Sequence, residues 1–116
     1  MLAGKICYLE IPTTDVEISA NFYAKIFGWK IRARGDGQRA FDDAAGGVSG
    51  TWVLGRPPMR DPGMLMYVMV ESIDGTLDEI SKAGGQVVTP RTGLGPSQAF
   101  ATFRDPMGNV LGLYQE

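Results

Sequence analysis

Apolar positions change their period along the chain, and each change marks out an element. Lys5 to Ile11 (KICYLEI) alternates or runs apolar and stops at Pro12, as a β-strand does. Ser19, Phe22, Tyr23, Ile26 and Phe27 then recur at helical spacing and form a largely apolar stripe. Thr14-x-x-Glu17 has the spacing of a capping box, Asp15 is a second candidate cap, and Gly28 stands where a helix-ending glycine would. Trp29 to Arg34 alternates as a strand, Gly35-Asp36-Gly37 is a turn and Gln38 to Asp43 a return strand, so this stretch predicts a hairpin. After the break at Gly46-Gly47, Val48 to Leu54 predicts a further strand.

Residues 55–63 (GRPPMRDPG) carry three prolines and two glycines and read as a connector. Met64 to Val70 (MLMYVMV) is a continuous apolar run, the pattern of a buried strand. Ser72 or Asp74 caps a short helix with Ile73, Leu77 and Ile80 on one face, and Gly84-Gly85 ends it. Gln86 to Thr89 predicts a strand, Pro90 to Ser97 a Gly/Pro loop, Gln98 to Phe103 a strand, Asp105 to Asn109 (DPMGN) a turn, and Val110 to Gln115 a last strand. A shift of 67 − 8 = 59 positions lays Tyr8 on Tyr67, Ile11 on Val70, Asp15 on Asp74, Ile18 on Leu77, Ala40-Phe41 on Ala99-Phe100 and Leu54 on Leu113. The order strand, cap, helix, glycine stop and three strands thus occurs twice. The expected fold is α+β: one domain of two tandem βαβββ modules, about 1–57 and 63–116, with a linker at about 55–63.

Composition narrows the function classes. The 116 residues carry 11 Lys and Arg against 13 Asp and Glu, a formal net charge of −2 and a pI near 5.1. No basic run is present, so nucleic acid is not an expected partner. No apolar run approaches a membrane span, and Met1 to Lys5 lacks a signal-peptide pattern, so no membrane and a cytoplasmic setting are expected. The single cysteine, Cys7, is expected to point under the first helix as a small hydrophobe. The chain has no histidine, which removes the commonest general base and the commonest transition-metal ligand.

The segments EIPTTDVEISANFYAKIFGW and DPMGNVLGLYQ resemble the start and end of the vicinal oxygen chelate superfamily, which holds glyoxalase I, the bleomycin-resistance proteins and extradiol dioxygenases. Asp15, Phe22, Tyr23, Phe27, Gly28 and Trp29, with Asp105 to Asn109, carry the resemblance. It implies curved mixed sheets around a cup-shaped cavity, helices on the convex side, and a homodimer. Side chains alternate across a strand. If Cys7, Leu9 and Ile11 pack under the helix, Tyr8 and Glu10 face the cup, and by the same parity so do Tyr67, Met69, Val110, Gly112 and Tyr114.

Metal-using members of that superfamily carry ligands at the positions that are Tyr8 and Tyr67 here, and a carboxylate at the position of Gly112, whose first-half equivalent falls near Val53. Phenols, glycine and valine do not make a divalent-ion site, so no metal and no cofactor are expected. Glu10 is a candidate general base or an anchor for a cationic or hydroxylated ligand; otherwise it is a structural carboxylate paired with Arg104 or another base. Tyr8 and Tyr67 are hydroxyl donors to a ligand or aromatic filling. Trp52 walls the pocket or lies in a dimer interface, and Met69 is a pocket wall. The resulting expectation is a metal-free protein binding a small planar or cationic organic ligand in a cup lined by Tyr8, Glu10, Trp52, Tyr67, Met69 and Tyr114. The alternative is a lyase, isomerase or dioxygenase-like enzyme of the same superfamily with Glu10 or the tyrosines as acid/base. A third is an accessory fold whose cup is filled by side chains.

Overall fold

The computed structural model describes residues 3–60 and 63–116, so Asp61 and Pro62 of the expected connector lie outside the described residues. The chain divides into two compact units, Met1–Arg56 and Pro57–Glu116. It is an α+β fold of two tandem modules, each with one helix and one four-stranded mixed sheet. Among the described residues no helix is long and apolar enough to cross a membrane.

In the first unit β1 (Tyr8–Pro12) leads to α1 (Val16–Phe27), then β2 (Lys30–Ala33), β3 (Arg39–Asp42) and β4 (Ser49–Val53). The sheet order is β1-β4-β3-β2, with β1 parallel to β4 and the other pairs antiparallel. Local chemistry sets both ends of α1. The Asp15 side chain accepts from the Ile18 amide at 3.2 Å, and Gly28 at φ 70° donates its N–H to the Ala24 carbonyl at 3.0 Å. Ser19 is buried in the stripe because its hydroxyl meets the Thr13 hydroxyl at 2.8 Å. The stripe seats Tyr23 on a ring cluster: its centroid lies 4.8 Å from Trp29 and 5.9 Å from Trp52, and Phe41 lies 4.5 Å from Trp29 and 4.9 Å from Trp52. Such pairs add about 0.5–1.5 kcal/mol each beyond their buried area. Gly50 admits the Phe41 ring, since a Cβ there would run into that ring and into the Leu9 carbonyl.

In the second unit β5 (Tyr67–Met69) leads to α2 (Ile73–Lys82), β6 (Gln86–Gly93), β7 (Ala99–Arg104) and β8 (Val110–Gln115), in the sheet order β5-β8-β7-β6. Ser72 is the cap of α2, accepting from the Gly75 amide at 3.1 Å, and Ile73, Leu77 and Ile80 are buried. They meet the side of the sheet that carries Leu111, Leu113, Ala101 and Phe103, all fully buried. The DPMGN turn is closed by the buried Asp105, whose Oδ1 accepts from the amides of Met107 and Asn109, both at 2.9 Å, while Gly108 takes φ 88°.

Three expectations are corrected. The run Met64 to Val70 is not a buried strand: only Tyr67–Met69 is strand, Met64 is 93% exposed, and Tyr67 and Met69 are exposed. β5 ends its sheet, and an unbroken apolar run carries no alternation to reveal one uncovered face. The Pro90 to Ser97 loop is shorter, because β6 runs through Pro90 to Gly93. β6 is the other sheet edge, where a missing N–H is tolerated, and its ladder shifts register between Val87 and Thr89 and again before Thr92. Cys7 is exposed rather than under α1, because β1 begins only at Tyr8.

The repeat also needs more than one offset. Tyr8 pairs with Ser49, and Tyr67 pairs with Gly112, so the fourth strands differ by 112 − 49 = 63. Asp42 opposite Ser49 matches Thr102 opposite Gly112, a shift of 102 − 42 = 60. The first-half counterpart of Gly112 is therefore Ser49, not a residue near Val53.

Candidate functional site

The face of the first sheet turned from α1 is polar. Alternation puts Tyr8 and Glu10 on it, with Ser49 and Thr51 of β4 and Asp42 of β3. The Arg32 guanidinium grips Asp42 with both ends, Nε to Oδ2 at 3.0 Å and Nη2 to Oδ1 at 3.2 Å, and the Ser49 hydroxyl donates to the same carboxylate at 2.5 Å. These contacts, Arg32 first, hold the Asp42 carboxyl down to about 2, and Asp42 in turn raises the Arg32 guanidinium. Arg34 donates to Thr51 at 3.2 Å and pairs with Asp36 at 2.8 Å. Glu10 is exposed and takes a 2.6 Å ion pair from Arg56. The charges on this face are thus matched locally, by pairs that solvent screens. As a base, Glu10 would first have to release Arg56.

Trp52 is not on this face. It is 2% exposed and packs against Phe41 and Tyr23 on the helix side, within the core. Among the described residues its indole Nε1 has no hydrogen-bond partner.

The second unit carries a concavity. Tyr67, half-exposed at 48%, lies flat over Gly112; a Cβ there would fall within 2.8 Å of three ring atoms. The cross-strand row continues from Gly112 to Thr102 and on to Thr89. The next row holds Met69, Tyr114 and Phe100. A pocket of about 630 Å³ opens on this face, lined by Tyr67, Phe100, Thr89, Thr102, Arg60 and Arg104 with apolar side chains between them. Met69 and Tyr114 share the face without lining the pocket. One wall is the segment around Pro58 to Arg60. It is fixed because the Met59 amide donates to Asn109 Oδ1 at 2.8 Å and the Val110 amide donates to the Met59 carbonyl at 2.9 Å.

Arg60, Arg104, Phe100, Thr89 and Thr102 are lining residues that sequence reasoning missed. The parity that places Tyr67 and Tyr114 also places Arg104, Thr102 and Phe100, once β7 is registered on β8.

The donors present do not fit a divalent metal. Tyr8 has Ser49 opposite it, Tyr67 has Gly112, and phenols and hydroxyls are poor ligands for such ions. Among the described residues no three His, Cys, Asp or Glu side chains come together as a metal cluster.

Comparison with known proteins gives one consistent result. The family model described as Glyoxalase/Bleomycin resistance protein/Dioxygenase superfamily matches residues 5–113. A glyoxylase-like domain-containing protein of Didymella fabae is 31% identical, over 95% of this chain and 92% of that protein. The CFP32 protein of Mycobacterium bovis is 27% identical over 93% of this chain, which spans only 44% of that relative. A glyoxalase/bleomycin resistance protein/dioxygenase family enzyme from Burkholderia phytofirmans PsJN superposes with a TM-score of 0.79 at 17% identity, covering 97% of this chain and 98% of that one.

Proposed function

Because the chain belongs to the Glyoxalase/Bleomycin resistance protein/Dioxygenase superfamily, we propose that it binds a small organic ligand, without a metal ion, in the pocket beside Tyr67. Superfamily membership alone does not fix a chemistry, since one fold hosts many. The supporting observation is the pocket itself. Its volume of about 630 Å³ suits a ligand site, and it combines the Tyr67 and Phe100 rings with two threonine hydroxyls and two guanidinium groups. A planar body suits the two ring walls. Met69 and Tyr114 flank the site in this reading, Tyr8 and Glu10 belong to the polar face of the first unit's sheet, and Trp52 serves the core.

Catalysis by Glu10 is not favoured, because its carboxylate is exposed and held by Arg56. Action in the cytoplasm as a homodimer belongs to the same proposal, and light scattering checks the mass. The central test is a thermal-shift screen of planar organic compounds. A ligand at about 100 times its Kd adds about 2.7 kcal/mol of stability. The shift is expected to disappear in Tyr67→Ala. A hit that shifts Tyr67→Ala equally would move the site elsewhere. Stoichiometric zinc, nickel or iron surviving dialysis against a mild chelator would refute the metal-free reading.

A further inference from the structure

The geometry points to an anionic guest: the pocket beside Tyr67 is built for a planar aromatic carboxylate, with Arg60 and Arg104 receiving the carboxylate and Tyr67 and Phe100 the ring. This deepens the binding reading above and rests on it. It departs from the cationic guest that Glu10 suggested.

The first observation is how the arginines are used. Arg32, Arg34, Arg39 and Arg56 are each tied to a carboxylate at 2.6–3.0 Å, by Asp42, Asp36, Glu17 and Glu10. Among the described residues Arg60, Arg91 and Arg104 have no ion pair, and of these Arg60 and Arg104 line the pocket. Among the described residues no Asp or Glu lines the pocket, although acidic residues outnumber basic ones in the chain. Two unmatched guanidinium groups facing one concavity set a positive potential there, and a guanidinium's planar fork fits carboxylate oxygens.

The second observation is independent of charge. Thr102 is only 6% exposed, lines the pocket, and its hydroxyl makes no hydrogen bond among the described residues. The hydroxyl opens on the pocket, since the one buried side-chain polar atom without a partner among the described residues is Trp52 Nε1, so it is a donor and acceptor open to whatever fills the pocket. It stands two residues from Arg104 on the same face of β7, so one oxyanion head could take both donors.

The third is that the cationic wall is held in place. Asn109 of the DPMGN turn anchors Met59 through its side chain, and Val110 bonds the Met59 carbonyl, so the residue that follows, Arg60, leaves from a fixed point. Arg104 pairs directly with Val110 in the β7–β8 ladder. The two cations therefore flank the same strand start.

The test is calorimetric titration with three probes of one shape: 2-naphthoate, the neutral 2-naphthamide and the cationic 2-naphthylmethylammonium. 2-Naphthoate is expected to bind at least about tenfold tighter than the amide, because a charge-assisted contact is about twice as strong as a neutral one. Its affinity is expected to weaken as salt is raised from 20 to about 200 mM. Arg104→Met and Arg60→Met are each expected to erase the preference for naphthoate over naphthamide, weakening the acid far more than the amide. Arg60 and Arg104 are exposed, so both variants should fold; the amide titration verifies an intact pocket in each. Equal affinity for acid and amide would overturn the anion inference and leave the pocket reading standing. Tighter binding of the ammonium probe would overturn it in favour of a cationic guest. No heat from any probe at millimolar concentration would overturn both readings together.

Discussion

Gly112→Ala tests the seating of Tyr67 with a single methyl. The new Cβ would fall within 2.8 Å of three atoms of the Tyr67 ring, so the ring must leave its place over β8. Overpacking of this kind costs about 1–3 kcal/mol. Tyr67 is half-exposed and can swing outward, which puts the cost at the low end, about 1–2 kcal/mol. Gly112 has no positive φ, so alanine itself is unstrained and stiffens the unfolded chain, returning about 0.4–1 kcal/mol. The net loss is about 0.5–1 kcal/mol, a fall in Tm of roughly 2–4 °C at this chain length. In a Tyr67→Ala background the clash is gone, and Gly112→Ala should instead stabilise by about 0.4–1 kcal/mol. The coupling between the two sites is then about 1–2 kcal/mol, read from a double-mutant cycle by urea denaturation. Gly50→Ala is the control. There the Cβ meets the Leu9 carbonyl as well as Phe41, so a loss of about 3 kcal/mol should persist when Phe41 is replaced by leucine. A Gly112→Ala cost unchanged by Tyr67→Ala would refute the close approach of the ring.

Other perturbations address single contacts. Asp42 is held at about 2, below its ordinary 3.8, by Arg32 and then Ser49. A depressed folded value means its stabilising contribution is complete above the ordinary value and is lost as pH falls from about 4 through about 2. Asp42→Asn should flatten that acid limb in Tm against pH, and an unchanged limb would sink the assignment. Asp105→Ala removes a buried carboxylate that caps two amides and the Asn109 side chain, so it should cost about 3 kcal/mol by denaturant melting, with a loss under 1 kcal/mol arguing against a structural turn. Asp15→Ala should cost about 1 kcal/mol, the usual value of an N-cap, and Asp15→Ser should recover most of it.

What the sequence discloses and what it hides divides along local against non-local causes. α1 is legible because its cap, stripe and stop are all set within a few residues of one another; Asp15, Tyr23 and Gly28 each act where pattern reasoning puts them. The DPMGN turn is legible for the same reason. Trp52 is not, because the side it faces follows from which residue of β4 meets which residue of β1, and no neighbouring residue encodes that register. The pairing of Glu10 with Arg56 joins residues at opposite ends of the first unit's chain, and spacing does not predict it. Arg104 and Phe100 are hidden differently. Their strand is plain in the sequence, yet their face becomes known only once Thr102 is set against Gly112. Arg60 lies in an irregular segment where alternation has no meaning, and only the reach of Asn109 locates it.

Pro90 has a consequence for solution behaviour. β6 is eight residues long, ends its sheet, and exposes Val87 and Val88. A long exposed margin of this sort is a template on which another chain can lay down a strand. Pro90 leaves a gap in the row of amide donors, and the two register slips beside it bend the margin out of true. The residue that sequence pattern reads as the start of a loop thus interrupts the hem of the second sheet where an added strand would have to bond.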